Sequence, residues 1–331
     1  KVLKRRVNKV QEIIGESEPI QRIKDTIDKV APTEARVLIT GENGVGKELV
    51  ARWIHEKSNR IEGPLVEVNC AAIPTELIES ELFGHEKGSF TGALYTKIGH
   101  FEMANGGTLF LDEVGNLSYE IQAALLRTVQ ERKVKRIGST KEIDLDVRIL
   151  VATNENLSDA IQKGRFREDL FHRFNEFNIT IPPLRDRGKD IQLFAEHFLK
   201  EANAELNRNV TGFSSEVIEC MMTYNWPGNV RELKNVIRRA TLITEGNEIQ
   251  LKALPLEIST FAKASALESS FGSNVAVNTN KHDLKNAAME AEYETILNVL
   301  KEVNFNKTKA AKSLNIDRKT LYNKMKAINL D

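Results

Sequence analysis

At 331 residues the chain exceeds one ordinary domain, so two or three folded units are expected. Its 47 basic and 47 acidic residues cancel, which argues against indiscriminate nucleic-acid binding by the whole chain. Cys70 and Cys220 lack metal-ligand spacing and read as buried hydrophobes, and no apolar run reaches membrane-spanning length, so a soluble cytoplasmic protein without a membrane partner is expected.

Residues 1–12 are basic and mixed, and because the chain opens on Lys1 they read as a linker arriving from an upstream regulatory domain. From 13 to 183, the β-branched runs Val37–Thr40, Leu65–Asn69, Thr108–Leu111 and Val147–Val151 alternate with helical patterns. That alternation predicts an α/β unit with a parallel sheet and helices on both faces. The first strand runs into Gly41-Glu42-Asn43-Gly44-Val45-Gly46-Lys47-Glu48, and a helix with Val50, Ala51 and Ile54 on its apolar side follows. Strand, glycine-rich loop and helix in that order make a phosphate-binding loop. Its backbone N–H groups and the positive end of the helix favour phosphates, and Lys47 supplies a point charge. The general pattern has Ser or Thr after the lysine to hold magnesium, whereas this chain has Glu48.

Next comes Gly88-Ser89-Phe90-Thr91-Gly92-Ala93. Glycines at both ends permit unusual backbone angles, while Phe90 and Thr91 at the tip offer one aromatic and one hydroxyl contact, which suits a mobile probe. The bland alternative is a surface hairpin without a partner. The apolar strand before Asp112-Glu113 would bring Asp112 to a position where it ligates Mg2+, directly or through water, and Glu113 to one where it orients the attacking water of ATP hydrolysis. Taken alone, such carboxylates also serve merely to cap a following helix. Arg167 and Arg173 lie six residues apart. They either reach a subunit edge to stabilise transition-state charge in a neighbour's site or bridge Glu168 and Asp169, and the residues alone leave both readings open.

After Pro182-Pro183 the pattern becomes helical, predicting a helical lid over 184–257 with Phe194, Phe198, Val217, Ile218, Val236 and Ile237 in its core. Residues 258–283 carry Ser and Asn with few large apolar residues and read as a flexible linker. In 284–331, three short apolar faces predict three helices, with Asn315 suited to a left-handed turn and Asp317 to an N-cap. Lys319, Asn323 and Lys326 then project outward and Arg318 occupies the exposed first turn, as in a recognition helix. Residues 301–331 hold eight Lys or Arg against three acids, a local basic excess suited to DNA.

With these motifs in this order, residues 13–257 resemble the sigma-54-dependent transcription activators, the NtrC-type enhancer-binding proteins, which are AAA+ P-loop NTPases. The family's usual hexapeptide is GAFTGA, from which the chain departs only at Ser89, and the family commonly reads GKE, as Lys47-Glu48 does here. The resemblance implies that Gly88–Ala93 engages sigma-54, that Asn69 restrains Glu113, and that Thr153-Asn154 form the first sensor of the γ-phosphate. It makes Arg167 and Arg173 arginine fingers given in trans, hence a homo-oligomeric ring, a hexamer. Arg231, within Trp226-Pro227-Gly228-Asn229-Val230-Arg231-Glu232-Leu233, becomes the second sensor, and Ile14 and Gly15 fall where the family contacts adenine. Residues 284–331 resemble Fis-type helix-turn-helix domains, in which positions matching Arg318, Thr320, Tyr322 and Asn323 meet the DNA major groove and those matching Asn306 and Thr308 reach its backbone.

The implied function is an ATP- and Mg2+-dependent activator that binds double-stranded enhancer DNA and remodels the sigma-54 RNA polymerase holoenzyme to open promoters. Its upstream domain would be a two-component receiver or a ligand sensor. The alternative is a DNA-binding regulator whose AAA+ core is only a nucleotide-controlled oligomerisation module, a reading that Ser89 keeps open. A helicase or protein unfoldase would not account for the hexapeptide together with the terminal DNA reader.

Overall fold

In the computed structural model, which describes residues 13–259 together with Ala310 and Ala311, the order of elements alternates strand and helix as the sequence predicts. Helix α1 (Glu18–Val30) precedes β1 (Val37–Thr40), α2 (Lys47–Glu56), β2 (Leu65–Asn69), α3 (Thr75–Phe83) and the short pair β3 (Gly84–His85) and β4 (Lys97–Ile98). Then follow α4 (His100–Met103), β5 (Thr108–Asp112), α5 (Tyr119–Glu131), a second short pair, β6 (Lys133–Lys135) and β7 (Glu142–Asp144), and β8 (Arg148–Thr153). Helices α6 (Leu157–Gln162) and α7 (Glu168–Phe174) lead to β9 (Phe177–Thr180). The remainder is α8 (Asp190–Leu206), β10 (Gly212–Phe213), α9 (Ser215–Thr223), α10 (Asn229–Ile243) and β11 (Glu248–Ile249).

Five strands form one parallel sheet in the order β2-β5-β8-β1-β9. Strand β8 is buried along its whole length, as expected where helices cover both faces of a parallel sheet. It opens with Arg148, whose guanidinium donates to the carbonyls of Val30 (2.9 Å), Ala31 (2.6 Å) and Ala35 (3.3 Å). A buried cation is tolerated there because it satisfies carbonyls that the end of α1 leaves without helical partners. The apolar layers on the two sides of the sheet are separate, one around Leu82, Phe101, Leu111 and Leu125, the other around Ile27, Ile39, Ile54 and Leu150. The parallel order puts β1 between β8 and β9, so the carboxyl ends of β1, β5 and β8 open onto one edge, where α/β sheets bind ligands.

The lid has its own core, in which Phe194, Phe198, Val217, Trp226, Val236 and Ile237 are buried and Ile218 is partly so. That core continues to Ile258, which is almost fully buried and whose carbonyl accepts from the Cys220 thiol at 3.1 Å. The lid thus includes the first residue of the segment expected to be linker. Both cysteines are buried and neither is joined in a disulfide. Among the described residues no helix is long and apolar enough to cross a membrane.

The chain divides into two units, Lys1–Glu268 and Ser269–Asp331. In the second, Ala310 and Ala311 are helical and buried. The expected DNA contacts Asn306, Thr308, Arg318, Lys319, Thr320, Tyr322 and Asn323 lie outside the described residues, as do residues 1–12.

Candidate nucleotide site and output loop

The phosphate loop leaves β1 at Gly41 and enters α2 at Lys47. Gly44 has φ +79°, and a Cβ there would stand 2.3 Å from the Gly228 carbonyl oxygen and 3.1 Å from Cβ of Arg231. Glycine is required at this position by the left-handed backbone and by the closeness of the lid. Lys47 is buried, and its ammonium donates to the carbonyls of Gly41 (2.9 Å) and Glu42 (3.2 Å). Burial lowers its pKa, the charges of Asp112 and Glu113 oppose that shift, and Arg231 adds to it.

Register brings the acidic end of β5 to the same edge, since Asn69 of β2 pairs with Asp112. Asp112 accepts from the backbone N–H of Glu113 at 2.9 Å. Glu113 adopts φ 57°, ψ 43°, a left-handed conformation that a residue with a Cβ occupies at a cost of about 1–2 kcal/mol and that clusters at functional sites. A cavity of about 760 Å³ between sheet and lid is lined by Lys47, Asp112, Glu113, Asn69, Arg231 and Ile14. Asn43, Gly44, Gly46 and Glu48 also border it. An adjoining apolar recess is closed by Ile13, Ile14, Val45, Phe194 and Val230. Beside the acidic pair, the Cys70 thiol is pushed up to about 12 by burial and by the charges of Asp112 and Glu113, so it is a buried hydrophobe rather than a nucleophile.

Thr153, Asn154, Arg167 and Arg173 do not line this cavity. Thr153 is buried at the end of β8 and its hydroxyl accepts from the Glu155 N–H at 3.1 Å, while Asn154 is exposed. Asn69 differs from its expected role. Its side-chain oxygen caps the 3-10 turn Cys70–Ala72, accepting from Ala71 (3.0 Å) and Ala72 (3.2 Å), and makes no hydrogen bond to Glu113. The two arginines also divide. Arg167 forms a bidentate pair with Asp169 (3.0 and 2.7 Å) and lies 5.0 Å over the Tyr119 ring. Arg173 makes no ion pair among the described residues, and its carbonyl accepts from Arg36 at 3.3 Å. The bridging arrangement therefore exists for Arg167 with Asp169 and not for Arg173. Neither arginine lines the cavity of its own chain.

Several polar residues that the motifs did not single out hold the lid to the phosphate loop. Asn229 is fully buried with φ 53°. Its amide nitrogen donates to the Glu42 carboxylate and the Asn43 carbonyl, both at 3.0 Å, while its oxygen accepts from Leu184 N–H at 2.8 Å. Arg185 grips Glu42 through two bonds (3.0 and 2.5 Å), and these bonds, followed by that from Asn229, hold the Glu42 carboxyl below its usual range. Arg187 is buried and donates to the carbonyls of Val45 and Pro182, both at 2.9 Å through Nη2, and burial brings it down to about 10. Asp190, also buried, accepts from the N–H groups of Glu16 (2.7 Å) and Ser17 (2.9 Å). A Cβ on Gly15 would stand 2.8 Å from the Asp190 carboxylate, which accounts for glycine beside Ile14. In sequence, residues 185–190 look like an ordinary solvated charge run. The asparagine directly after Trp226-Pro227-Gly228 is a residue type suited to left-handed backbone, but that does not mark it as a buried clamp.

The hexapeptide is a closed loop on the β3–β4 stem. Gly88 N–H donates to the Ala93 carbonyl at 2.8 Å and Ala93 N–H to Phe90 at 3.0 Å. Ser89 packs on the β6–β7 hairpin so closely that a Cβ on Gly138 would stand 2.6 Å from its own Cβ, and its hydroxyl is buried without a hydrogen-bond partner. The Phe90 ring meets His85 edge-on at 5.0 Å. Arg136 joins Glu102 of α4 through two bonds (2.7 and 2.8 Å) to Glu86, two residues before the loop, at 3.0 Å. These bonds, those to Glu102 above all, raise its pKa further above an already high value.

Residues 13–180 match the Sigma-54 interaction domain family. The chain belongs to the sigma-54-dependent transcription activators. Residues 185–270 match the AAA+ ATPase lid domain and 288–327 the bacterial regulatory protein, Fis family. Similar curated proteins include the DNA-binding transcriptional activator HyfR of Escherichia coli, 43% identical over 97% of this chain and 48% of its own length. The nitrogen fixation protein AnfA of Azotobacter vinelandii is 46% identical over 95% of this chain and 56% of its own. The transcriptional regulatory protein ZraR of Salmonella typhimurium is 45% identical over 95% and 68%. This activator chain thus spans from about half to about two thirds of the length of those relatives. Among solved structures, NtrX from Brucella abortus in complex with ADP is similar at a TM-score of 0.71 and 33% identity, over 97% of this chain and 70% of that one. NtrX in complex with ATP gives 0.70 and 34%, over 96% and 69%.

Proposed function

We propose that this chain hydrolyses ATP to drive the Gly88–Ala93 loop against sigma-54 and so open promoters held by its RNA polymerase, on enhancer DNA bound through residues 284–331. The observation that carries the reading is the pairing of a phosphate site with an acidic strand end and a lid arginine around one cavity, on the same unit as a closed, tip-exposed loop. Similarity to NtrX, described in complex with ATP and ADP, supports nucleotide as the ligand of that cavity.

In this reading the phosphate loop and Lys47 bind the phosphates, and Arg231 approaches them from the lid. Among the described residues no group of three or more His, Cys, Asp or Glu is arranged to hold a metal by itself. Asp112, which lines the cavity, would hold Mg2+ bound with the nucleotide. When bound, the ion neutralises charge on the phosphates during transfer. Glu113, held in its left-handed turn, accepts a hydrogen bond from the attacking water and orients it in line. Arg173, which has no ion pair among the described residues, is the arginine best prepared to stabilise charge in a neighbour's site, and this requires a ring, most simply a hexamer. Arg167 would first have to leave Asp169. Arg136 ties the stem of the loop to α4, the helix before β5, giving strain at Asp112-Glu113 a route to the loop. An upstream domain would set when the ring assembles.

The oligomerisation-only alternative rests on Ser89, which packs against Gly138 with its hydroxyl buried and unpaired. In vitro transcription from a sigma-54 promoter tests the reading. Open complexes should form with ATP and not with a non-hydrolysable analogue, whereas DNA binding without promoter opening under either nucleotide would favour the alternative.

A further inference from the structure

The apolar surface around the output loop is not centred on its hexapeptide. Phe90 is 40% exposed and leans on His85, which is itself fixed by a 2.7 Å hydrogen bond to Ser80. Leu94 and Tyr95, directly after the loop closes, are 77% and 69% exposed, and Ile98 on β4 is 55% exposed. Scattered exposed hydrophobics are ordinary, but four fall within the short stretch from Phe90 to Ile98, and such concentrations mark interaction surfaces. Tyr95 has neither a hydrogen bond nor a ring contact among the described residues.

The backbone that carries the two side chains is also held in place. Gly88–Ala93 is cinched by its 2.8 Å bond on one side, and on the other the Thr96 hydroxyl donates to Glu86 at 2.9 Å. Leu94 and Tyr95 therefore project from a short segment anchored at both ends, so a partner that covers them loses little conformational entropy.

We infer that Leu94 and Tyr95 are a second part of the sigma-54-contacting surface, an apolar anchor beside the hexapeptide that is presented whether or not Phe90 has left His85. This rests on the sigma-54 reading above. Sigma-54 is the occupant because the pair is continuous with the loop proposed to engage it, separated from Ala93 by no other residue.

The test uses the whole chain and purified sigma-54, with a transition-state analogue of ATP. A photoreactive benzoylphenylalanine in place of Tyr95 should cross-link to sigma-54, and cross-linking only to a second copy of the chain would overturn the inference. The double substitution Leu94→Ser, Tyr95→Ser should weaken sigma-54 binding at least about tenfold, as expected for loss of a buried aromatic and aliphatic anchor. Binding equal to that of the unmutated chain would also overturn it. ATP hydrolysis without sigma-54 reports whether the double variant is folded, and if it is not, the cross-link decides. Should the unmutated chain itself fail to bind sigma-54, the parent reading has failed, a result distinct from loss in the variant alone.

Discussion

Replacing Asn229 separates two contributions that its position combines. In Asn229→Ala, the Leu184 N–H loses its 2.8 Å acceptor in a buried setting, which costs about 1–3 kcal/mol. The lost bond to Glu42 adds little, because that carboxylate is partly open to water and keeps Arg185. The φ of 53° adds about 1 kcal/mol for alanine, which lacks the tolerance of asparagine for left-handed backbone. The sum is about 2–4 kcal/mol. Asn229→Gly removes the same hydrogen bonds without the backbone term and should lose only about 1–3 kcal/mol. Denaturant unfolding followed by Trp226 fluorescence in a Trp53→Phe background measures both, since Trp226 is fully buried in the lid core and these are the only two tryptophans. Alanine and glycine variants of equal stability would refute the backbone argument. Two variants as stable as the parent would refute the hydrogen-bond accounting as well.

Lys47→Ala should abolish ATP binding, whereas Glu113→Gln should bind ATP and fail to turn it over; equal loss of binding in a nucleotide titration would count against both roles. Ser89→Ala removes a hydroxyl buried without a partner and should raise stability by up to about 1 kcal/mol, read as a higher melting temperature, so a fall would mean that the hydroxyl has an acceptor after all. Arg173→Ala protomers should be inactive alone and regain some hydrolysis when mixed with Glu113→Gln protomers; mixtures that stay inactive would remove Arg173 as a trans group. His55 is buried against Thr108, and burial, then the charge of Arg148, lowers its pKa from the ordinary 6.5. The unfolded chain therefore takes up a proton near 6.5 that the folded chain refuses until lower pH, so stability falls as pH drops below 6.5. His55→Gln should flatten the dependence of melting temperature on pH in that interval, part of the slope remaining from His100, which is shifted the same way; an unchanged slope would exclude His55 as a source.

The parts legible in the sequence were those whose signal is local. Val37–Thr40 and Leu65–Asn69 are strands with the expected bounds, and β5 and β8 run one and two residues past theirs, to Asp112 and Thr153. The phosphate loop and the acidic strand end could be read because each is contiguous. The pairs β3–β4 and β6–β7 could not, since strands of two or three residues are too short to show a period. Asn229 was hidden for another reason. Its partners Glu42 and Asn43 are 187 and 186 residues away, and nothing in a local pattern distinguishes a buried clamp from a polar helix start. Asn69 was legible in position but not in orientation, because an asparagine after a strand serves as a cap or as a catalytic restraint depending on where its amide turns.

The chemistry of the lid junction bears on how nucleotide could move it. The lid core and the α/β cores are separate apolar clusters, and adjacent residues fall on opposite sides, Ile13 with the α/β unit and Ile14 with the lid. Between them run directional polar contacts, from Asn229 and Arg185 to Glu42, from Arg187 to Val45, and from Asp190 to residues 16 and 17. A continuous apolar seam would resist opening in proportion to its area, about 25 cal/mol for each Å². Each of these polar bonds involves a charged group and contributes about 1.5–3 kcal/mol net, less for the half-exposed Arg185–Glu42 pair. A few such bonds would leave the lid angle within reach of a difference in contact free energy between ATP and ADP, if they bind at Lys47 and Arg231 as proposed, without breaking either core. The Glu42 cluster belongs to the phosphate loop itself, so a change in loop conformation on hydrolysis would be transmitted to Asn229 at the first turn of α10, the same helix that carries Arg231.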